Sequence, residues 1–95
     1  MFMASYELIG DPDTLLAAHE RMLAGFPTDS FLLHLSVRTE RGITIYDTCP
    51  SREQFEAFST SEEFAAALAG AGLPTPRVTP LGDVHYLYVG AEVRQ

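Results

Sequence analysis

The spacing of apolar positions changes several times along the chain, and each change marks an element. Over MASYELI, residues 3 to 9, apolar and polar side chains mix across the length of a strand until Gly10 stops it. From residue 12 the interval becomes helical: Leu15, Leu16, His19, Met22, Leu23 and Phe26 fall on one face. An amphipathic helix over 12–24 follows, begun by Asp11 and Pro12 and ended by Gly25 and Pro27, and its inner face carries His19. FLLHLSV, residues 31 to 37, returns to period two, with Phe31, Leu33, Leu35 and Val37 on one face and Leu32, His34 and Ser36 on the other. Strands are therefore expected over 30–39 and 43–49, joined by Glu40, Arg41 and Gly42, where Gly42 can take the left-handed conformation that closes a short hairpin.

A second helix starts at Ser51, which with Gln54 forms a capping box, and it turns Phe55 and Phe58 inward. Thr60 with Glu63 reads as another capping box, so a kink or restart is expected near 59–61 before the helix runs on over 62–70. GAGLPTP ends it, and a last strand is expected over 82–90 in GDVHYLYVG. Strand, helix, strand, strand, helix, strand is the ferredoxin-like βαββαβ order, an α+β fold. It makes a four-stranded antiparallel sheet with both helices on one face, in a single domain spanning 1–95.

That architecture leaves one sheet face uncovered, yet the strands are apolar or aromatic on both faces, including Tyr6, Leu8, Ile45, Tyr46, Val84, Tyr86, Leu87 and Tyr88. An open face of this kind exceeds the few hundred Å² of apolar patch that a monomer tolerates. Burying about 800 Å² on each of two subunits is the size of a stable interface, so a homodimer is expected.

Composition narrows the functional classes. A chain of 95 residues holds one hydrophobic core, and at 46% hydrophobic and 20% charged it is ordinary globular material. Its net charge of −7 comes from thirteen acids against six arginines, with no lysine. Such a surface has no cationic patch for nucleic acid or an anionic membrane. The lone Cys49 excludes an internal disulfide or a multi-thiolate metal site and points to a reducing, cytoplasmic compartment. The first residues show no export signal, and no apolar run approaches the ~20 residues of a spanning helix. Phosphate-cradling glycine motifs, a GxSxG elbow and metal-ligand spacings are missing, so no cofactor or metal is expected.

RGITIYDTCPSREQFEAF, then AGLPTP, then a strand with Val84–His85, resembles the small dimeric α/β-barrel proteins grouped with the antibiotic-biosynthesis-monooxygenase-like superfamily. The likeness covers most of the chain. His34, Gly42, Asp47, Ser51, Glu53, Phe55 and His85 occupy the family's patterned places, whereas Ile43 and Cys49 stand where tryptophans would be. The resemblance implies two ferredoxin-like subunits packed sheet to sheet, each with a small-molecule pocket. Members include cofactor-independent oxygenases of aromatic polyketide-like molecules, haem degraders, cyclases and isomerases. Oxygenases of the group commonly hold and activate substrate with an Asn and a Trp, and this chain contains neither residue.

His34 and His85 are the candidate general acid and base, because imidazole exchanges a proton near neutral pH. Asp47 is the candidate partner that orients one of them. If the hairpin turns on Glu40 and Arg41, Asp47 faces His34; a three-residue loop with a bulge at Gly42 separates them. His19 reads as a packing residue. Tyr6, Tyr46 and Tyr86 are candidate walls of an aromatic-binding cavity, although tyrosines are equally usual in interfaces. Cys49, a small side chain where a large ring would stand, would enlarge that cavity. Two functions fit: a homodimeric, cofactor-independent pocket enzyme doing monooxygenase-, cyclase- or isomerase-like proton chemistry on an aromatic or polyketide-like molecule, or a non-catalytic ligand-binding or structural homodimer. The enzyme requires His34 or His85 in a cavity beside Asp47.

Overall fold

The computed structural model of the chain describes residues 1–26 and 32–90. Its elements are β1 (Phe2–Ile9), α1 (Pro12–Leu23), β2 (His34–Arg38), β3 (Gly42–Cys49), α2 (Arg52–Ser59), α3 (Glu62–Gly70) and β4 (Arg77–Asp83). The strands form one antiparallel sheet in the order β2-β3-β1-β4. This is the βαββαβ ferredoxin-like arrangement with its second helix broken in two. Pro27 and the expected start of the second strand at 30 lie outside the described residues.

Each helix begins where a side-chain oxygen takes an orphan backbone donor. Asp11 accepts from the Thr14 N–H at 2.9 Å, and these hydrogen bonds from Thr14 hold its carboxyl below the usual range. Ser51 accepts from Gln54 N–H at 3.2 Å. The restart comes one residue later than the Thr60–Glu63 pattern suggests: Ser61 caps α3, accepting from Phe64 N–H at 3.1 Å. Thr60 instead donates its hydroxyl to the Glu56 carbonyl and so finishes α2.

Alternation decides what the sheet buries. Phe2, Ala4, Tyr6 and Leu8 of β1 and Ile43 and Ile45 of β3 pack under the helices, against Leu15 and Ala18 of α1, Phe55 of α2, Phe64 of α3 and Leu73. On the opposite face, which no helix among the described residues covers, Leu35 and Val37 are 48% and 37% exposed.

Gly42 opens β3 at a contact too close for any side chain: a Cβ there would lie 2.0 Å from the Leu8 carbonyl oxygen. Its φ of 156° lies at the extended edge of positive φ, so close approach to β1 is the stronger demand for glycine. The hairpin itself turns on Glu40 and Arg41. Thr39 N–H donates to the Gly42 carbonyl at 2.9 Å, and Gly42 N–H returns to Thr39 Oγ1 at 3.1 Å.

The last strand departs from expectation. It occupies Arg77–Asp83, not 82–90, because residues 77–83 are the ones that find β1 beside them: Phe2 pairs with Asp83 and Glu7 with Arg77. Val84 N–H still reaches the Met1 carbonyl at 2.8 Å, and residues 85–90 continue without strand structure. Pro80 argues against a strand by propensity, but β4 is an edge strand, where a missing donor is tolerated.

Candidate functional site

A cavity of about 690 Å³ lies between the sheet and the helical layer. Its apolar walls come from Met22, Leu23 and Phe26 near the end of α1, Phe58 of α2, and Phe64 and Leu68 of α3. Tyr6, His34, Asp47 and Cys49 from the sheet and His19 from the inner face of α1 are among its polar groups, with Gln54, Ser61 and Glu63 on the side of α2 and α3.

The two-residue turn sets the register that brings the central pair together. His34 and Asp47 are direct cross-strand partners, and Ala4 of β1 is the small neighbour on the other side of Asp47. His34 Nδ1 lies 3.4 Å from Asp47 Oδ1. The same oxygen accepts the Thr48 N–H at 2.9 Å, which fixes the carboxylate's direction. Thr48 in turn locks the outer end of the β2–β3 pairing, its hydroxyl accepting from Leu33 N–H at 3.1 Å and donating to the Leu33 carbonyl at 3.3 Å. Both side chains are withdrawn from water, His34 at 17% exposure and Asp47 at 9%.

His19 joins them from α1. Its ring stacks on that of His34, with centroids 5.2 Å apart and planes 6° from parallel. Burial, with His34 as the second cause, pushes His19 down to about 4, and nearby Asp47 pulls the other way. At neutral pH His19 is therefore an uncharged ring. The sequence marks His19 as an inward helical residue but carries no signal that α1 crosses β2 at His34.

Two of the candidate wall residues meet at this cavity. Tyr6 lines it, and burial, followed by Cys49 and Asp47, raises its phenol above the usual range. Cys49 lines it too, and burial followed by Asp47 raises its thiol, so it sits there as a thiol rather than a nucleophilic thiolate. Tyr46 alternates onto the open sheet face, opposite Leu35, and is not part of the cavity. His85 and Tyr86 also stand apart, because β4 ends at Asp83 and leaves both on exposed backbone, Tyr86 at 67%. Among the described residues no three His, Cys, Asp or Glu side chains gather to hold a metal ion, and no helix is long and apolar enough to cross a membrane.

Sheet order and helical layer define a ferredoxin-like fold. Two crystal structures share it, both provisionally named antibiotic biosynthesis monooxygenases. One, from Chloroflexus aurantiacus J-10-fl, matches over 94% of this chain and 98% of its own, with a TM-score of 0.61 at 15% identity. The other, from Deinococcus radiodurans, matches over 96% and 100%, with a TM-score of 0.62 at 12% identity. No family model and no curated protein matches the sequence. At such identities the likeness extends to the fold.

Proposed function

We propose that the protein is a homodimeric small-molecule enzyme working in the cytoplasm. It would act without an organic cofactor on an aromatic or polyketide-like compound, by proton transfer of the cyclase, isomerase or monooxygenase kind. The observation that carries this reading is the His34–Asp47 pair in the wall of an apolar cavity of about 690 Å³. That volume lies within the ~300–1,000 Å³ usual for ligand sites, and a few convergent polar groups in apolar walls are the usual form of such a site.

The chemistry follows from the pair. Asp47, 3.4 Å from His34 Nδ1, favours a proton on that nitrogen and holds the ring's orientation. A substrate proton taken by that ring creates an imidazolium beside a fixed carboxylate, so Asp47 stabilises the charge as it forms. Neutral His19, stacked on the ring, restricts its orientation. His85 has no part in this scheme within one protomer.

Support for the dimer is the apolar face left open on the sheet, with Leu35 and Val37 exposed. A non-catalytic binding protein would use the same walls but have no need of the buried pair. Native mass spectrometry of the purified protein identifies the molecule it carries. That compound should be converted by the wild type and lost as a substrate in His34→Ala and Asp47→Asn, both still dimeric. Conversion undiminished in both variants removes the acid–base assignment, and binding without conversion favours the non-catalytic reading.

A further inference from the structure

Tyr6 is a polar residue of the cavity wall that the proton-transfer scheme leaves unused. Tyr6 stands in mid-β1, its ring held edge-on by Phe55 at 6.5 Å and Phe64 at 5.8 Å between centroids. The residue is only 6% exposed, and its hydroxyl is buried with no hydrogen-bond partner among the described residues. A buried hydroxyl left unpaired is costly, and folded proteins rarely keep one without a use. Burial and the nearby Cys49 and Asp47 keep this phenol protonated, so it can only gain by donating.

The charges around it restrict what it can donate to. No arginine lines the cavity among the described residues, and the chain has no lysine. The carboxylates that do line it are Asp47 and Glu63. A ligand carboxylate or phosphate entering here would lose its hydration, meet Asp47, and find no guanidinium or ammonium to balance it. An uncharged oxygen has no such penalty.

We infer that the cavity selects an uncharged, mainly apolar ligand bearing an acceptor oxygen such as a ketone, and that Tyr6 Oη donates the hydrogen bond that fixes it. This rests on the reading of the cavity as a ligand pocket and sets the ligand's chemical class.

Three probes of one shape test it: 1-tetralone, tetralin, which lacks the acceptor, and 1,2,3,4-tetrahydro-1-naphthoate, which carries a charge. Binding to the full chain is followed by calorimetry and ligand-observed NMR. The wild type should bind tetralone about three- to tenfold more tightly than tetralin, as expected of one net hydrogen bond, and the carboxylate more weakly than either. In Tyr6→Phe the tetralone preference should fall to about one while tetralin binds as before. The carbonyl stretch of ¹³C-labelled tetralone should lie at lower frequency on the wild type than on Tyr6→Phe. A preference that survives in Tyr6→Phe, or a carboxylate bound as tightly as the ketone, overturns the inference while leaving the pocket intact. If none of the three binds, the pocket reading falls, and the inference with it.

Discussion

The imidazoles of His19 and His34 lie parallel, 5.2 Å apart between centroids, although one comes from a helix and the other from an edge strand. Burial pushes His19 down to about 4, and the charge it would face from His34 adds to that shift. The consequence for stability has a definite sign. In the unfolded chain His19 titrates near its ordinary 6.5, so between 6.5 and about 4 the unfolded state binds more protons. Stability should therefore fall as the pH drops through that window, with a slope from this group of at most about 1.4 kcal/mol per pH unit. Urea titrations at pH 7, 6, 5 and 4 measure it, and His19→Met should show a flatter profile. Equal slopes for the two proteins would show that His19 carries no such penalty.

Tyr6 makes the opposite prediction at the alkaline end. Its folded phenol titrates above its unfolded value of 10.0, so the unfolded state loses the proton first and stability should decline as the pH rises beyond that value. Removing the hydroxyl abolishes this loss and also removes a buried donor without a partner. Tyr6→Phe should accordingly be as stable as the wild type or more so, by about 0.5–1.5 kcal/mol in the absence of ligand. Thermal melts at pH 7.5 and pH 10.5 check both statements. A Tyr6→Phe protein markedly less stable at pH 7.5 would reveal a partner for the hydroxyl.

The contrast between these two residues and His85 shows what the sequence could and could not disclose. Alternation sets His34 apart from Leu35 and Val37, but which face is covered and whether Asp47 stands opposite it depend on the helices and on the length of the turn; the two-residue turn is the alternative the structure takes. His19 could be assigned to the inner face of α1 by its spacing. Its stacking on His34 depends on how α1 crosses the sheet, which no local pattern encodes. His85 and Tyr86 were misplaced because GDVHYLYVG has stronger strand propensity than RVTPLGD, whereas pairing was decided by which segment lay beside β1. Propensity ranks segments one at a time, and a sheet chooses among them by geometry. The cavity itself, built from residues on six elements, has no signature beyond the fold.

Gly42 tests the close approach of β3 to β1. A methyl group there would overlap the Leu8 carbonyl, which belongs to the central strand and cannot yield without breaking the pairing of Ile9 with Gly42. Gly42→Ala should cost about 2–4 kcal/mol, more than an ordinary loop substitution. Ser61→Ala, which removes the cap of α3, should cost about 1 kcal/mol and leave the rest of the fold in place. Chemical denaturation ranks the two, and a Gly42→Ala protein as stable as Ser61→Ala would show that the hairpin can shift to make room.

The open sheet face supplies the last expectation. Leu35 and Val37 of β2 point away from the helices, as does Tyr46 of β3, and no element among the described residues covers them. Beyond the sheet, Tyr86, Leu87, Tyr88 and Val89 add exposed apolar area of 41% to 86% each. Such a surface is favourable only when a second apolar surface replaces water, at roughly 25 cal/mol per Å² before the cost of association is subtracted. Sedimentation at micromolar concentration should therefore find a dimer. A buried glutamate at the centre of that contact would lose its hydration on a face that already carries an acid, Glu7. Val37→Glu should consequently shift the equilibrium to monomer while leaving the helix-covered core and the circular dichroism spectrum unchanged. A wild-type chain that sediments as a stable monomer would remove the dimer from the proposal, but the cavity, whose walls all come from one chain, would remain.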